Sequence, residues 1–109
     1  METDGKHHSA RVEAKIERDY DSMNVPDSAP IVQLVHAAAK NLNLELKTLA
    51  TGGGCDANVL NKKGLVVANL STGMRDIHTV NEWLDLKDLY LSAQMVLEIV
   101  KLNGSASSE

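Results

Sequence analysis

At 109 residues, with 43% hydrophobic and 24% charged side chains, the chain has room for one modest core and no more. Its net charge of -4 and scattered Lys and Arg speak against the basic face of a nucleic-acid binder. The single cysteine, Cys55, rules out an internal disulfide, and no apolar run approaches the roughly 20 residues of a membrane span.

Residues 1 to 10 are charged, lack the apolar stretch of a signal peptide and read as a frayed lead-in or the end of a helix without its start. With one cysteine and no leader, the cytoplasm is the expected compartment. His7 and His8 in that lead-in, and His36 on the polar side of a helix, carry no site pattern. "RVEAKIERDY" (11–20) alternates Val12, Ala14 and Ile16 with charges, the period of a strand. "NVPDSAP" is a turn, after which Asp27 or Ser28 is expected to cap a helix with Pro30 in its first turn. Ile31, Leu34, Val35, Ala38 and Leu42 give that helix its apolar face.

"LELKTLAT" predicts a short strand and "GLVVANLST" a second, more apolar one buried on both sides. Between them "GGGCDANVLNKKG" holds a Gly-rich turn and a few helical turns, so the three pieces predict a βαβ crossover. Leu86, Leu89, Tyr90, Ala93, Val96, Leu97 and Val100 predict a last amphipathic helix, with Asp85 and Asp88 as its capping pair. "NGSASSE" is a polar tail. The fold class is α/β: a small sheet with a βαβ unit flanked by helices.

Three features can carry chemistry. Glycines directly after a strand let the backbone take positive φ and approach a ligand closely, but "TGGGCDAN" is neither GxGxxG nor a Walker A loop. Asp56 and Asn58 serve as well for capping as for ligand contact. Cys55 sits where a thiol pKa tends to fall, yet no base is paired with it in the sequence, and a packed turn residue is the plainer reading. His78 lies beyond the end of an apolar strand, where ligands gather in open α/β sheets. One histidine is more often structural, and a catalytic zinc wants about three protein ligands.

Together these motifs resemble the C-terminal end of the two-zinc peptidases that include peptidase T and the acetylornithine and succinyl-diaminopimelate deacylases. "GGGCDAN" at 52–58, "STGM" at 71–74, and His78 followed four residues later by Glu82 match the peptidase T-like branch in order and spacing. Cys55 stands where that branch has Ser, and Ser71 where it has Gly. The upstream stretch resembles the last strand of an inserted lid domain and the helix that returns to the catalytic domain.

The resemblance implies domains at 1–24 (a lid or dimerisation remnant) and 25–103 (part of a catalytic domain), with a tail at 104–109. It implies that His78 is a zinc ligand, and that Gly53, Gly54, Asp56 and Asn58 contact a short peptide substrate. It also implies that the other ligands and the general base lie upstream, since the chain has no HxD motif and no Glu pair in that role. The expectation is a C-terminal part of a zinc-dependent metallopeptidase, inactive and without tightly bound zinc alone. Its expected partner is the missing N-terminal part or a second copy in a homodimer or larger assembly, the copies meeting near Val12, Ala14 and Ile16. The rival expectation is a non-catalytic binding module reusing the fold.

Overall fold

The structure, a computed structural model, describes residues 9–107. The expected lead-in over residues 1–8, with His7 and His8, lies outside the described residues. Among the described residues the regular elements are three helices, α1 (Pro30–Asn41), α2 (Asp56–Lys62) and α3 (Leu86–Ser107).

Each helix is bounded by identifiable chemistry. Pro30 opens α1, where its missing N–H is no loss. Neither Asp27 nor Ser28 caps it, contrary to expectation: Ala29 holds the cap position, and no side chain bonds there. The entry is closed instead by the Ala29 N–H donating to the Pro26 carbonyl at 2.9 Å and by Gln33 Nε2 donating to the Asp27 carbonyl at 2.7 Å. At its far end Asn43 turns left-handed, with φ 56°, and Leu44 N–H reaches back to the Ala39 carbonyl at 2.8 Å. This is the Schellman closure, and α2 ends the same way through Gly64 at φ 92° and a bond from Leu65 N–H to the Leu60 carbonyl. Asp85 caps α3 as expected, its Oδ1 accepting the Lys87 N–H at 2.9 Å. The helix runs on to Ser107, through most of the stretch read as a tail.

The core is the contact of α1 with α3. Val35, Ala38, Ala39 and Met95 are buried there, with Leu42, Leu44, Leu46, Ile99 and Leu102 packed around them. Alanines on α1 let the two helices approach closely, and Asn41 bonds Glu98 across the joint at 3.0 Å.

Two expectations about packing are overturned. The first is the sheet. Residues 11–20, 44–51 and 65–72 run without turn or bend, but among the described residues none forms a strand ladder, and the sole bridge is an isolated antiparallel pair, Arg75 with Trp83. A ladder needs a neighbour at strand spacing, and no segment among the described residues lies in that place. "GLVVANLST" is accordingly not buried on both sides: Leu65 and Val66 remain more than half exposed, at 59% and 58%.

The second is the apolar face of α3. The stripe read from the sequence, Leu86, Leu89, Tyr90, Val96, Leu97 and Val100, is exposed. The helix packs through Met95, Ile99 and Leu102 instead. On α1 the buried line is Val32, Val35, Ala38 and Ala39, with Ile31 and Leu34 half-buried at its margin. Total accessible surface is 9349 Å² for an 11.8 kDa chain, where a compact globule of that mass exposes about 5,900 Å². No helix among the described residues is long and apolar enough to cross a membrane.

Candidate functional site

The Gly-rich loop reaches α2 through a set of contacts made by Asn58. Its Oδ1 accepts the Cys55 N–H at 3.0 Å, which satisfies a donor at the helix entrance, and its Nδ2 donates to the Asp21 carbonyl at 2.9 Å. At 7% exposure Asn58 is the buried polar residue of the region. Asn61, one turn on, brackets the Val67 peptide: it donates to the Val67 carbonyl at 2.9 Å and accepts the Val67 N–H at 3.1 Å. Asn58 and Asn61 thus tie residues 21 and 67 to one short helix.

The segment before α1 is pinned at the same place. Lys62 Nζ lies 2.5 Å and Arg18 Nη1 2.9 Å from the Asp21 carboxylate, and these cations hold its pKa below the usual carboxylate range. The Tyr20 ring lies over Gly54 and occupies the space that a Cβ there would need, so a side chain at this position would have to displace the ring. None of Gly52, Gly53 and Gly54 takes positive φ, against the expectation for this loop. Gly53 has open space around it, and Asp56 is exposed in the first turn of α2.

His78 belongs to a different structure. Arg75 and Trp83 exchange backbone hydrogen bonds at 3.0 and 3.1 Å, closing the neck of a turn over 75–83. The Arg75 guanidinium covers the Trp83 ring at 4.6 Å, which reinforces the neck. Inside the turn Thr79 Oγ1 donates to the Asp76 carbonyl at 2.6 Å and accepts the Asn81 N–H at 3.1 Å. His78, exposed near the tip, is held at φ 64°, a conformation that disfavours an L residue by roughly 1–2 kcal/mol. Strain of this sort persists where surrounding structure imposes it. Glu82 donates its own N–H to the Thr79 carbonyl, and its exposed carboxylate makes no bond with His78.

Residues 71–74 connect the two regions. Gly73 is at φ 86°, and a Cβ there would come within 2.9 Å of Asp88 on α3. Asp88 lies 3.7 Å from Arg75, so the foot of the His78 turn rests on the start of the last helix.

An open groove of about 1150 Å³ brings part of this together. Gly53, Cys55 and Asn58 line it on one side and Thr72 and Gly73 on the other, while Gly54, Asp56 and His78 are not in its walls. Tyr20, Asn61 and the Arg75–Trp83 neck escaped the sequence reading. They work through side-chain and backbone contacts in irregular chain, where hydrophobic periodicity carries no signal.

As a zinc site the residues present are incomplete. Among the described residues no three of His, Cys, Asp and Glu converge, and His78 by itself would offer one ligand where about three are needed. The imidazole fits a zinc site only as one corner of it, completed by groups from elsewhere.

Comparison with known proteins fits this partial geometry. The model of the family described as peptidase family M20/M25/M40 matches residues 3–102. An uncharacterised protein of Bacillus subtilis, YqjE, is 33% identical over 91 residues, covering 84% of this chain and 24% of that protein. Peptidase T of a Geobacillus species is 28% identical over 99 residues, again with 24% of its length covered. Among solved structures, a tripeptidase from Staphylococcus aureus superimposes with a TM-score of 0.77 at 34% identity, over 93% of this chain and 27% of its own. The aminopeptidase PepT of Bacillus cereus gives 0.73 at 28% identity, over 90% and 26%. The chain therefore spans about a quarter of the relatives it matches.

Proposed function

The chain belongs to peptidase family M20/M25/M40, and we propose that it is the C-terminal part of a zinc-dependent peptidase that removes residues from short peptides, in the manner of a tripeptide aminopeptidase in the cytoplasm. The observation that carries this reading is the His78 turn. A histidine held at positive φ on a turn closed at its neck has a fixed backbone position, and it stands where the resemblance puts a zinc ligand. In this reading Gly53 and Gly54 offer backbone to a bound peptide, and Asp56 and Asn58 flank it. Asn58 also holds the loop in place through Cys55 and Asp21. The general base and the remaining ligands come from the rest of the catalytic domain, so the chain alone binds no stoichiometric zinc and hydrolyses nothing.

The test joins this chain to a context that supplies those groups. In a chimera the 109 residues replace the matching C-terminal quarter of the Staphylococcus aureus tripeptidase. The chimera is expected to hydrolyse tripeptides with added zinc, cobalt or manganese, and His78→Ala is expected to remove both the activity and one zinc. Unchanged activity and zinc content in His78→Ala would overturn the assignment. Hydrolysis by the isolated chain, lost in the same variant, would overturn its dependence on the rest of the domain.

A further inference from the structure

The turn over residues 75–83 holds its shape without burial. Two of its residues other than glycine take left-handed backbone, Asp76 at φ 51° and His78 at φ 64°. Every side chain from 74 to 83 is exposed, Ile77 by about half and Val80 completely. Apolar packing therefore does not supply what keeps two L residues in a conformation they disfavour. Such conformations persist where surrounding structure imposes them, and here that structure is polar.

The polar contacts divide into an inner and an outer set. Inside, Thr79 Oγ1 bonds the Asp76 carbonyl and the Asn81 N–H, and the Glu82 N–H donates to the Thr79 carbonyl at 3.2 Å. These bonds shape the tip but tie it only to itself. The outer set converges on Arg75. Its backbone exchanges two hydrogen bonds with Trp83, and its guanidinium lies 4.6 Å from the centre of the Trp83 ring. The same guanidinium is 3.7 Å from Asp88 on α3, a helix anchored in the core by Met95. Asp88 is within reach because the chain passes close to it at Gly73, where a Cβ would meet it at 2.9 Å. One side chain thus clasps the neck and leans it on the core. Each of its contacts is weak at an exposed site, so losing both together is what releases the turn.

We propose that Arg75 is a positioning residue for His78: through Trp83 and Asp88 it holds the turn that fixes the histidine backbone for metal binding. The inference rests on the family reading, which makes His78 a zinc ligand, and extends it to a residue that acts only through the turn. Groups that orient a ligand from behind commonly set metal affinity by roughly 10- to 100-fold.

The experiment starts with the zinc-free 109-residue chain, labelled for nuclear magnetic resonance. A strong contact between the amide and α protons of His78 reports its positive φ, and amide relaxation reports its order. The expected order parameter is about 0.8, against roughly 0.85 for rigid backbone. Arg75→Met keeps the length of the side chain and removes its charge. It is expected to bring His78 below about 0.6 and to leave the amides of α1 unmoved. Arg75→Lys keeps a cation for the ring and for Asp88 and is expected to stay near the parent chain. A tip already loose in the parent, a tip still ordered in Arg75→Met, or no rescue by Arg75→Lys would overturn the proposal.

Zinc affinity in the chimera with the Staphylococcus aureus tripeptidase, read by chelator competition, is the second measurement. Arg75→Met is expected to weaken it about tenfold or more, and Arg75→Lys by less than about threefold. Zinc that depends on His78 but not on Arg75 would overturn this inference and leave the ligand assignment standing. Zinc indifferent to His78→Ala would strike the ligand assignment itself, and this inference with it.

Discussion

The last helix has two apolar faces, and they meet opposite fates. One, through Met95, Ile99 and Leu102, packs on the alanine-lined side of α1 and makes the core. The other, from Leu86 and Leu89 through Tyr90, Val96 and Leu97 to Val100, lies open to solvent. A helix apolar on most of its circumference is one built for the inside of a larger body. The two faces therefore separate what this chain stabilises by itself from what it offers to another part of a domain. The stretches 45–53 and 68–72, which make no backbone–backbone hydrogen bonds among the described residues, fall on the second side of that line.

The widest gap between the faces is expected in truncation. Met95→Ala removes a buried side chain from the only joint between α1 and α3 in the described structure and is expected to lower stability by about 2–5 kcal/mol. Leu97→Ala, at a position 55% exposed, is expected to change it by less than about 0.5 kcal/mol. Urea unfolding followed by circular dichroism reads both. Equal losses would mean that something in the chain covers the second face.

Next comes the stitching at α2. Asn58→Ala abandons the Cys55 N–H and the Asp21 carbonyl together and is expected to lose about 1–3 kcal/mol in the same measurement. A neutral result would show that the Gly-rich loop and the segment before α1 hold without it.

The smallest effect is electrostatic. Asp21 has its folded pKa lowered, chiefly by Lys62 and then by Arg18. Its contribution is therefore complete above the ordinary carboxylate pKa of about 3.9 and fades as pH falls from there through the lower folded value. Lys62→Met is expected to lower the melting point slightly at neutral pH, where the pair contributes in full, and to leave it unchanged well below the carboxylate range. The melting point of the variant therefore falls less steeply with acid, and the effect is small because Lys62 is exposed. Identical acid melting curves for the variant and the parent chain would contradict it.

The sequence already carried the positions of all three helices, the Asp85 cap, and the motif order from "GGGCDAN" to His78, because these depend on local spacing. It could not carry the neighbours. Periodicity marks Leu89, Val96 and Leu97 as residues that need covering, but whether the cover is present depends on other chain segments. Alternation in "LELKTLAT" likewise shows what would pair in a sheet without supplying the other strands. The helix α1 was displaced in its cap for a different reason: Pro26 and Gln33 close its entry through backbone carbonyls, a solution that leaves Asp27 and Ser28 unused. The contacts that build the candidate site, Asn58 to Asp21 and Tyr20 against Gly54, join residues more than 30 apart and were invisible for that reason.

Amide hydrogen exchange on the isolated chain tests the central claim most directly. Amides within α1 and the middle of α3 are expected to be protected by the core they share, while those of 45–53 and 68–72 exchange near the rate of an unstructured peptide. Protection of 45–53 comparable to that of α1, in the chain alone and at a concentration where it is monomeric, would contradict the account.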